Sequence, residues 1–271
     1  MDPEQLLREG ALGEALLALQ AEVRSKPGRI EPRVFLFQLL AVMGQWDRAL
    51  TQLEVVGGID ASALAMVQAY REALRCELLR SGVFAGRVSP LVFGDPERWV
   101  ALLMEALRLM IDGEYVQSEV LRSEAFDLAS PTAGMIDGTP CEWIADADSR
   151  LGPVLEAIVN GRYYWVPFQR IRTIDLEAPA DLRDLVWMPA HFTWSNGGQA
   201  VGFIPSRYPS SEASGDSAIR LGKRTEWVAH AGETYLGLGQ RMLVTDTGEH
   251  ALMDIRQIRL GEASQLSRRA R

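Results

Sequence analysis

From position 3 to about 130, apolar residues recur at the three- and four-residue spacing of one helical face. Leu6, Leu7, Leu12, Ala15, Leu16, Leu19 and Val23 form the first such stripe, and Val34, Phe35, Phe37, Leu39 and Leu40 the second. This half is expected to be helical. After about residue 139 the texture changes to β-branched and aromatic runs, broken by turn clusters such as Ser195-Asn196-Gly197-Gly198 and Asp246-Thr247-Gly248. Strands are expected near Glu142–Ala145, Tyr163–Phe168, Ile171–Leu176, Val186–Thr193, Ala200–Ile204, Glu226–Ala229, Tyr235–Val244 and Ala251–Leu260. One helix is expected between them, Arg150–Asn160, capped by Asp148 or Ser149 and stopped by Gly161. The pattern predicts an α+β chain: an N-terminal tetratricopeptide-like helical domain over residues 1–131 and a strand-rich antiparallel α+β domain over 139–262. Pro131 to Pro140 reads as the linker, because neither a helix nor a central strand continues through it. Each half is expected to build its own core, and residues 263–271 read as a flexible tail.

The tetratricopeptide reading rests on an internal repeat. Gly10, Leu12, Ala15, Leu19 and Pro27 recur as Gly44, Trp46, Ala49, Leu53 and Ala61, each displaced by 34 residues. That is the period of the tetratricopeptide motif. A third copy starts at Gly113, with Tyr115, Ser118 and Ala125 in register, and one longer helix, roughly Ala61–Val83, stands where a regular pair would fall. Phe37 is larger than the motif prefers and Arg122 replaces a leucine, so a generic helical bundle is the competing reading.

Composition narrows the function. With 271 residues, 47% hydrophobic and 24% charged, the chain can bury real cores throughout. A net charge of −8 without a basic stripe repels phosphate backbones, so no nucleic-acid partner is expected. Arg268, Arg269 and Arg271 read as a solvated end. Cys76 and Cys141 lie 65 residues apart without metal or redox spacing, and reduced buried thiols are expected. No secretory signal opens the sequence, and the longest apolar helical run, Trp99–Ile111, is too short and too charged to span a membrane. A cytoplasmic location without membrane insertion follows as the expectation.

Candidate chemistry is sparse. Asp146 and Asp148 flank Ala147 beside Ser149 and Arg150, a pairing that suits a divalent cation, acid–base work or the capping of the expected helix. Capping is the preferred reading, and no further acidic cluster supports a metal. His191, His230 and His250 are separated by 39 and 20 residues, which fits neither a metal site nor a triad. Gly237-Leu238-Gly239 lacks the third glycine of a dinucleotide fingerprint, and Gly222-Lys223 is followed by Arg224 where a phosphate loop has Ser or Thr. No catalytic, metal or cofactor-binding residues are assigned. Aromatic side chains alternate across both faces of Tyr163-Tyr164-Trp165-Val166-Pro167-Phe168, so one face can pack on a helix and the other needs a second layer or a partner.

Longer runs carry more information: Val34 to Ala41, Ala69 to Arg75, Trp143 to Pro153 and Asn160 to Phe168. Through them the chain resembles the ImpE or TagJ accessory proteins of bacterial type VI secretion over nearly its whole length. The resemblance implies a non-enzymatic adaptor at the contractile sheath. Such an adaptor would bind the N-terminal helix of the small sheath subunit and associate with the AAA+ ATPase that recycles the sheath. The competing class is a hydrolase or transferase built on Asp146, Asp148 and Arg150. For an adaptor, the repeat maps Glu31, Val34, Phe35, Gln38 and Val42 onto the concave side of the second helical pair, a surface suited to an amphipathic helix. The alternative for Val34 and Phe35 is packing against neighbouring helices.

Overall fold

The computed structural model describes residues 2–95 and 97–261. The expected tail at 263–271 lies outside the described residues. Helices α1 (Pro3–Arg8), α2 (Leu12–Ser25), α3 (Glu31–Val42), α4 (Trp46–Ile59), α5 (Leu64–Phe84), α6 (Arg98–Ile111) and α7 (Tyr115–Leu128) form the front of the chain. The three repeat copies appear as one local device. Gly10, Gly44 and Gly113 adopt φ of 78°, 68° and 84°, a left-handed conformation that ends one helix. The next helix starts two residues later, at Leu12, Trp46 and Tyr115. The small residue after it, Ala15, Ala49 or Ser118, is fully buried, and the helices close over it. In the third copy the buried Arg122 donates from its guanidinium to Thr234 Oγ1 at 3.0 Å and to the Gly232 carbonyl at 3.1 Å, so its departure from leucine ties α7 to the strand half.

The rear of the chain is sheet. A short strand β1 (Leu91–Val92) precedes α6; the others are β2 (Gly134–Ile136), β3 (Thr139–Cys141), β4 (Ile144–Asp146), β5 (Val154–Val159), β6 (Arg162–Pro167), β7 (Ile171–Leu176), β8 (Trp187–Trp194), β9 (Gln199–Pro205), β10 (Thr225–His230), β11 (Thr234–Gly239), β12 (Met242–Thr245), β13 (Gly248–Ala251) and β14 (Gln257–Leu260). Nine of them form one sheet in the order β1-β6-β5-β9-β8-β7-β14-β2-β3, antiparallel except for the parallel β1–β6 pair. β13-β12-β4 form a second sheet and β10-β11 a separate ribbon.

Several expectations change here. The segment Arg150–Asn160 contains a strand, β5, instead of a helix. Its six residues Val154–Val159 are all buried, and the following Asn160-Gly161 take φ of 50° and 70°, the paired left-handed geometry of a tight hairpin. Gly161 is thus a hairpin glycine and not a helix stop. The Pro131–Pro140 segment is likewise structured: Asp137 and Gly138, at φ 48° and 84°, turn β2 into β3 at the edge of the large sheet. Pro140 sits on the outermost strand, where its missing N–H breaks no ladder. Tyr235–Val244 divides into β11 and β12 after Gly239, and Ala251–Leu260 divides at the 3₁₀ turn Leu252–Asp254. A short helix, α8 (Ser217–Arg220), was not anticipated.

The expectation of separate cores also gives way. One apolar cluster holds Leu19, Leu53 and Tyr70 of the helices together with Ile158, Trp165 and Trp187 of the strands. The opposite face of the same strands supplies Leu155 and Val166 to a second cluster with Phe192, Leu243 and Ile258. Alternation along β5 and β6 therefore sorts side chains between helices on one face and a second strand layer on the other.

Candidate functional site

The helical layer meets the sheet through buried charge. On β5 the helix-facing positions are Val154, Glu156 and Ile158, so a carboxylate stands in the middle of the apolar face. Glu156 is fully buried and meets two arginines. Arg80 of α5 donates Nε to Glu156 Oε1 at 2.6 Å and Nη2 to Oε2 at 3.0 Å, a two-pronged contact. Arg241, between β11 and β12, donates to the same Oε2 and to Asp146 Oδ2. Tyr163 donates its hydroxyl to Glu156 Oε1, and Trp165 donates Nε1 to the Tyr163 hydroxyl oxygen at 2.9 Å. One turn before Arg80, Glu77 accepts from Trp187 Nε1 at 3.0 Å and from Arg80 Nη1 at 3.3 Å.

Asp146, Asp148 and Arg150 join the rear of this network. With no helix at residues 150–160, capping is not their role. Asp146 Oδ1 accepts from the Tyr208 hydroxyl at 3.0 Å and from the Asp148 amide at 2.9 Å. Asp148 Oδ1 accepts from the Arg150 amide at 2.8 Å and from its Nε at 2.7 Å, while Oδ2 accepts from Arg150 Nη2 and from the Gly237 amide at 2.7 Å. Each carboxylate oxygen of Asp146, Asp148, Glu156 and Glu77 thus has a protein donor. Each oxygen of Asp148 and Glu156 has two protein donors, and among the described residues no group of three or more His, Cys, Asp or Glu side chains could hold a metal.

The electrostatics follow the contacts. Burial alone would raise Glu156, but Arg80 and Arg241 outweigh it and hold the carboxyl down at about 2. Asp146 goes the other way: burial, with neighbouring Asp148 adding to it, raises it to about 6 against the pull of Arg241. Burial likewise raises Glu77. Arg207 is lowered to about 10 by burial, opposed by Glu212 and Glu77. Its guanidinium donates to the Val42 carbonyl at 2.9 Å and to the Arg220 carbonyl, the last residues of α3 and α8, so two helix C-termini supply the negative ends that the cation needs.

The residues expected to line a partner groove fall into two groups. Glu31 is exposed and Val34 and Phe35 are half-buried, whereas Gln38 and Val42 are buried. The 3₁₀ turn Leu182–Leu185 packs against α3, and its leucines join the shared cluster, as the half-buried Val34 and Phe35 do. A cleft of about 130 Å³, bounded by Trp46, Phe84, Ser210 and Glu212, opens onto Glu77 and Arg80 of the charge network. The histidines stand apart: His191 is exposed on β8, His230 stacks on Tyr115 at 4.5 Å, and His250 contacts Thr245 Oγ1 at 3.3 Å. Sequence reasoning missed Arg80, Glu156 and Arg241. The readable signal was a lone Glu inside the apolar run Val154–Val159, with Glu77 and Arg80 three apart on the helix that faces it.

Fold and seam together define an α+β protein, helices layered on an antiparallel sheet, whose buried ionisable groups are engaged in joining the layers. The sequence model described as ImpE protein matches residues 138–259. The type VI secretion system accessory component TagJ of Pseudomonas aeruginosa is 53% identical over 258 residues, covering 95% of this chain and 90% of that protein. The chain belongs to the ImpE family. A crystal structure of a Vibrio parahaemolyticus protein shares the fold at a TM-score of 0.88, with 24% identity over 97% of this chain and 99% of that one.

Proposed function

We propose that this protein is a non-enzymatic, cytoplasmic adaptor of a type VI secretion system. In this reading the helical half is a tetratricopeptide-like scaffold that receives the N-terminal helix of the small sheath subunit, and the protein associates with the AAA+ ATPase that recycles the sheath. The observation that carries the reading is the 53% identity, over nearly the whole chain, to a protein named as a type VI accessory component. The fully engaged carboxylates of Asp146 and Asp148 support an adaptor over a hydrolase, because acid–base or cation chemistry needs a free lone pair directed at substrate.

A partner helix lying along α3 would meet Glu31, Val34 and Phe35, the members of the expected set that keep exposed surface, while Gln38 and Val42 support α3 from behind. An acidic surface favours a segment with some positive charge. Titration of a labelled sheath-subunit N-terminal helix tests this. The variant Glu31→Lys should bind about tenfold more weakly or worse, a loss of about 1.4 kcal/mol or more, with little change in thermal midpoint. Equal affinity for variant and parent would remove α3 from the interface.

A further inference from the structure

The β10–β11 ribbon has one edge engaged and one edge open. Residues that face β11 are set by the bond from the Gln240 amide to the Arg224 carbonyl at 3.1 Å. In an antiparallel pair the bonded positions alternate, so Arg224, Glu226, Val228 and His230 turn their backbone toward β11, and Thr225, Trp227 and Ala229 turn theirs away. The far side of β11 obeys the same alternation and is fully used. Tyr235 donates to Ser149 Oγ, Gly237 to Asp148 Oδ2 and Gly239 to Ser211 Oγ, at 2.9, 2.7 and 2.8 Å. The outward N–H and C=O groups of Thr225, Trp227 and Ala229 meet no partner among the described residues.

The strand reads Thr-Glu-Trp-Val-Ala-His without Pro, Lys or a bulge, and Trp227, Val228 and, across the ribbon, Tyr235 remain 37%, 41% and 50% exposed. An edge of that kind is a template for another strand. We propose that β10 pairs antiparallel with β10 of a second copy of this chain, joining the two ribbons into a four-stranded sheet across a two-fold axis.

The strand's own charges select both the occupant and the register. With Val228 on the axis, Trp227 bonds opposite Ala229, and Glu226 faces His230 of the second copy twice, once on each side of the axis. Those are non-hydrogen-bonded positions, where side chains approach most closely. Glu226 holds Arg224 Nη2 on Oε1, and its Oε2 is left to accept from the imidazole of the second copy. The neighbouring register, with Trp227 on the axis, would instead set Glu226 against Val228, and Arg224, which already donates to Asp216 and Glu226, against His230. Self-pairing is isologous, so one favourable contact counts twice. The contact is small, and a dimer in the micromolar range is expected.

Light scattering after gel filtration at roughly 100 µM, above that range, tests the proposal on the full chain. The parent should run as a dimer and dissociate on dilution. Ala229→Pro removes an outward N–H at a sheet edge, where proline is tolerated, and should give a monomer. Glu226→Lys, an exposed surface change, should weaken the dimer about tenfold, and Glu226→Lys with His230→Glu should restore it. If Ala229→Pro lowers the thermal midpoint, the charge-reversal pair carries the test. A parent that is monomeric throughout the range overturns self-pairing, including the case in which added secretion partners alone protect the β10 amides from exchange. So does a dimer that survives both single variants.

Discussion

From α2 to α4 the core is built from Ala15, Leu19, Ala49, Leu53 and Val56, all at 1% exposure or less, and of the buried residues on these helices only Gln38 is polar. Across the seam, α5 meets β5 through Arg80 and Glu156, and β5 meets Arg241 and Asp146 behind them. The first interface is non-directional, and any set of side chains of similar volume fills it adequately. The second is directional. Its two-pronged Arg80–Glu156 contact exists at one register of helix against strand, and an error of one residue on β5 would bury the carboxylate among Leu155, Phe192 and Leu243. The helical layer is thereby joined to the sheet in one position.

That contrast is sharpest where a single group is removed. Glu156→Ala leaves Arg80 and Arg241 buried without their shared carboxylate and should destabilise the protein by about 3–5 kcal/mol in urea unfolding. The isosteric Glu156→Gln should also be costly, because the lost quantity is charge and not volume. A Gln variant as stable as the parent would reduce the seam to ordinary packing. Asp146→Ala with Asp148→Ala should likewise lower stability, by stranding Arg241 and Arg150, and calorimetry should detect no saturable cation binding in the parent.

In the helical core the order reverses. Leu53→Ala should cost about 2–5 kcal/mol through the cavity it leaves, while the volume-conserving Leu53→Met should cost less than about 1.5 kcal/mol. Because Leu53 shares its cluster with Trp165 and Trp187, both variants should shift one cooperative transition followed by circular dichroism and by tryptophan fluorescence alike. Two resolved transitions would restore the boundary near 131–139 as a thermodynamic one.

Acid separates the two interfaces next. Glu156 drops from its ordinary value of 4.5 to about 2 on folding, so its contribution is fully present above pH 4.5 and disappears as pH falls toward 2. Asp146, raised from 3.8 to about 6, has the opposite sign: it favours the folded state below 3.8 and loses that contribution as pH rises through 6. The gap in thermal midpoint between parent and Glu156→Gln should therefore close between pH 4.5 and 2. For Leu53→Ala, which titrates nothing, the corresponding gap should persist over that range.

The same contrast explains what could be read from the chain. The helical half announced itself because each local choice agreed: a left-handed glycine, an apolar or aromatic helix start two residues on, and a small buried residue three after that, in three copies. Strands β6, β7, β8 and β9 were legible from aromatic and β-branched alternation. β5 was not, since a strand buried on both faces shows no alternation, and its apolar run is indistinguishable from a helix by period alone. Asn160-Gly161 and Asp137-Gly138 carried the missing information, because such pairs specify hairpins more strongly than they specify helix ends or linkers. The charge network was out of reach for another reason. Its members come from α5, β4, β5 and the β11–β12 connection, and only the tertiary fold brings residues 80, 146, 156 and 241 together.

Arg122 stands where the two kinds of interface meet, and it gives the smallest effect. It occupies the repeat position held by Leu19 and Leu53, yet its guanidinium crosses to Thr234 and to the carbonyls of Gly232 and Glu233 at the tip of the β10–β11 ribbon. Arg122→Leu restores the repeat and should leave α6 and α7 packed, since leucine suits the buried site. The ribbon loses its hydrogen-bonded anchor on α7 but keeps the His230–Tyr115 stack there and Asp148, Ser149 and Ser211 along β11. Global stability should fall by about 1 kcal/mol, because the freed carbonyls at the tip can turn to water. Hydrogen exchange is the discriminating readout. Amides of residues 225–239 should exchange faster in the variant, while those of α6 and α7 keep the protection of the parent. Unchanged exchange across the ribbon would mean that Arg122 fills space in the third repeat as the leucines do in the first two, and that the ribbon is held by β11 and the His230–Tyr115 stack.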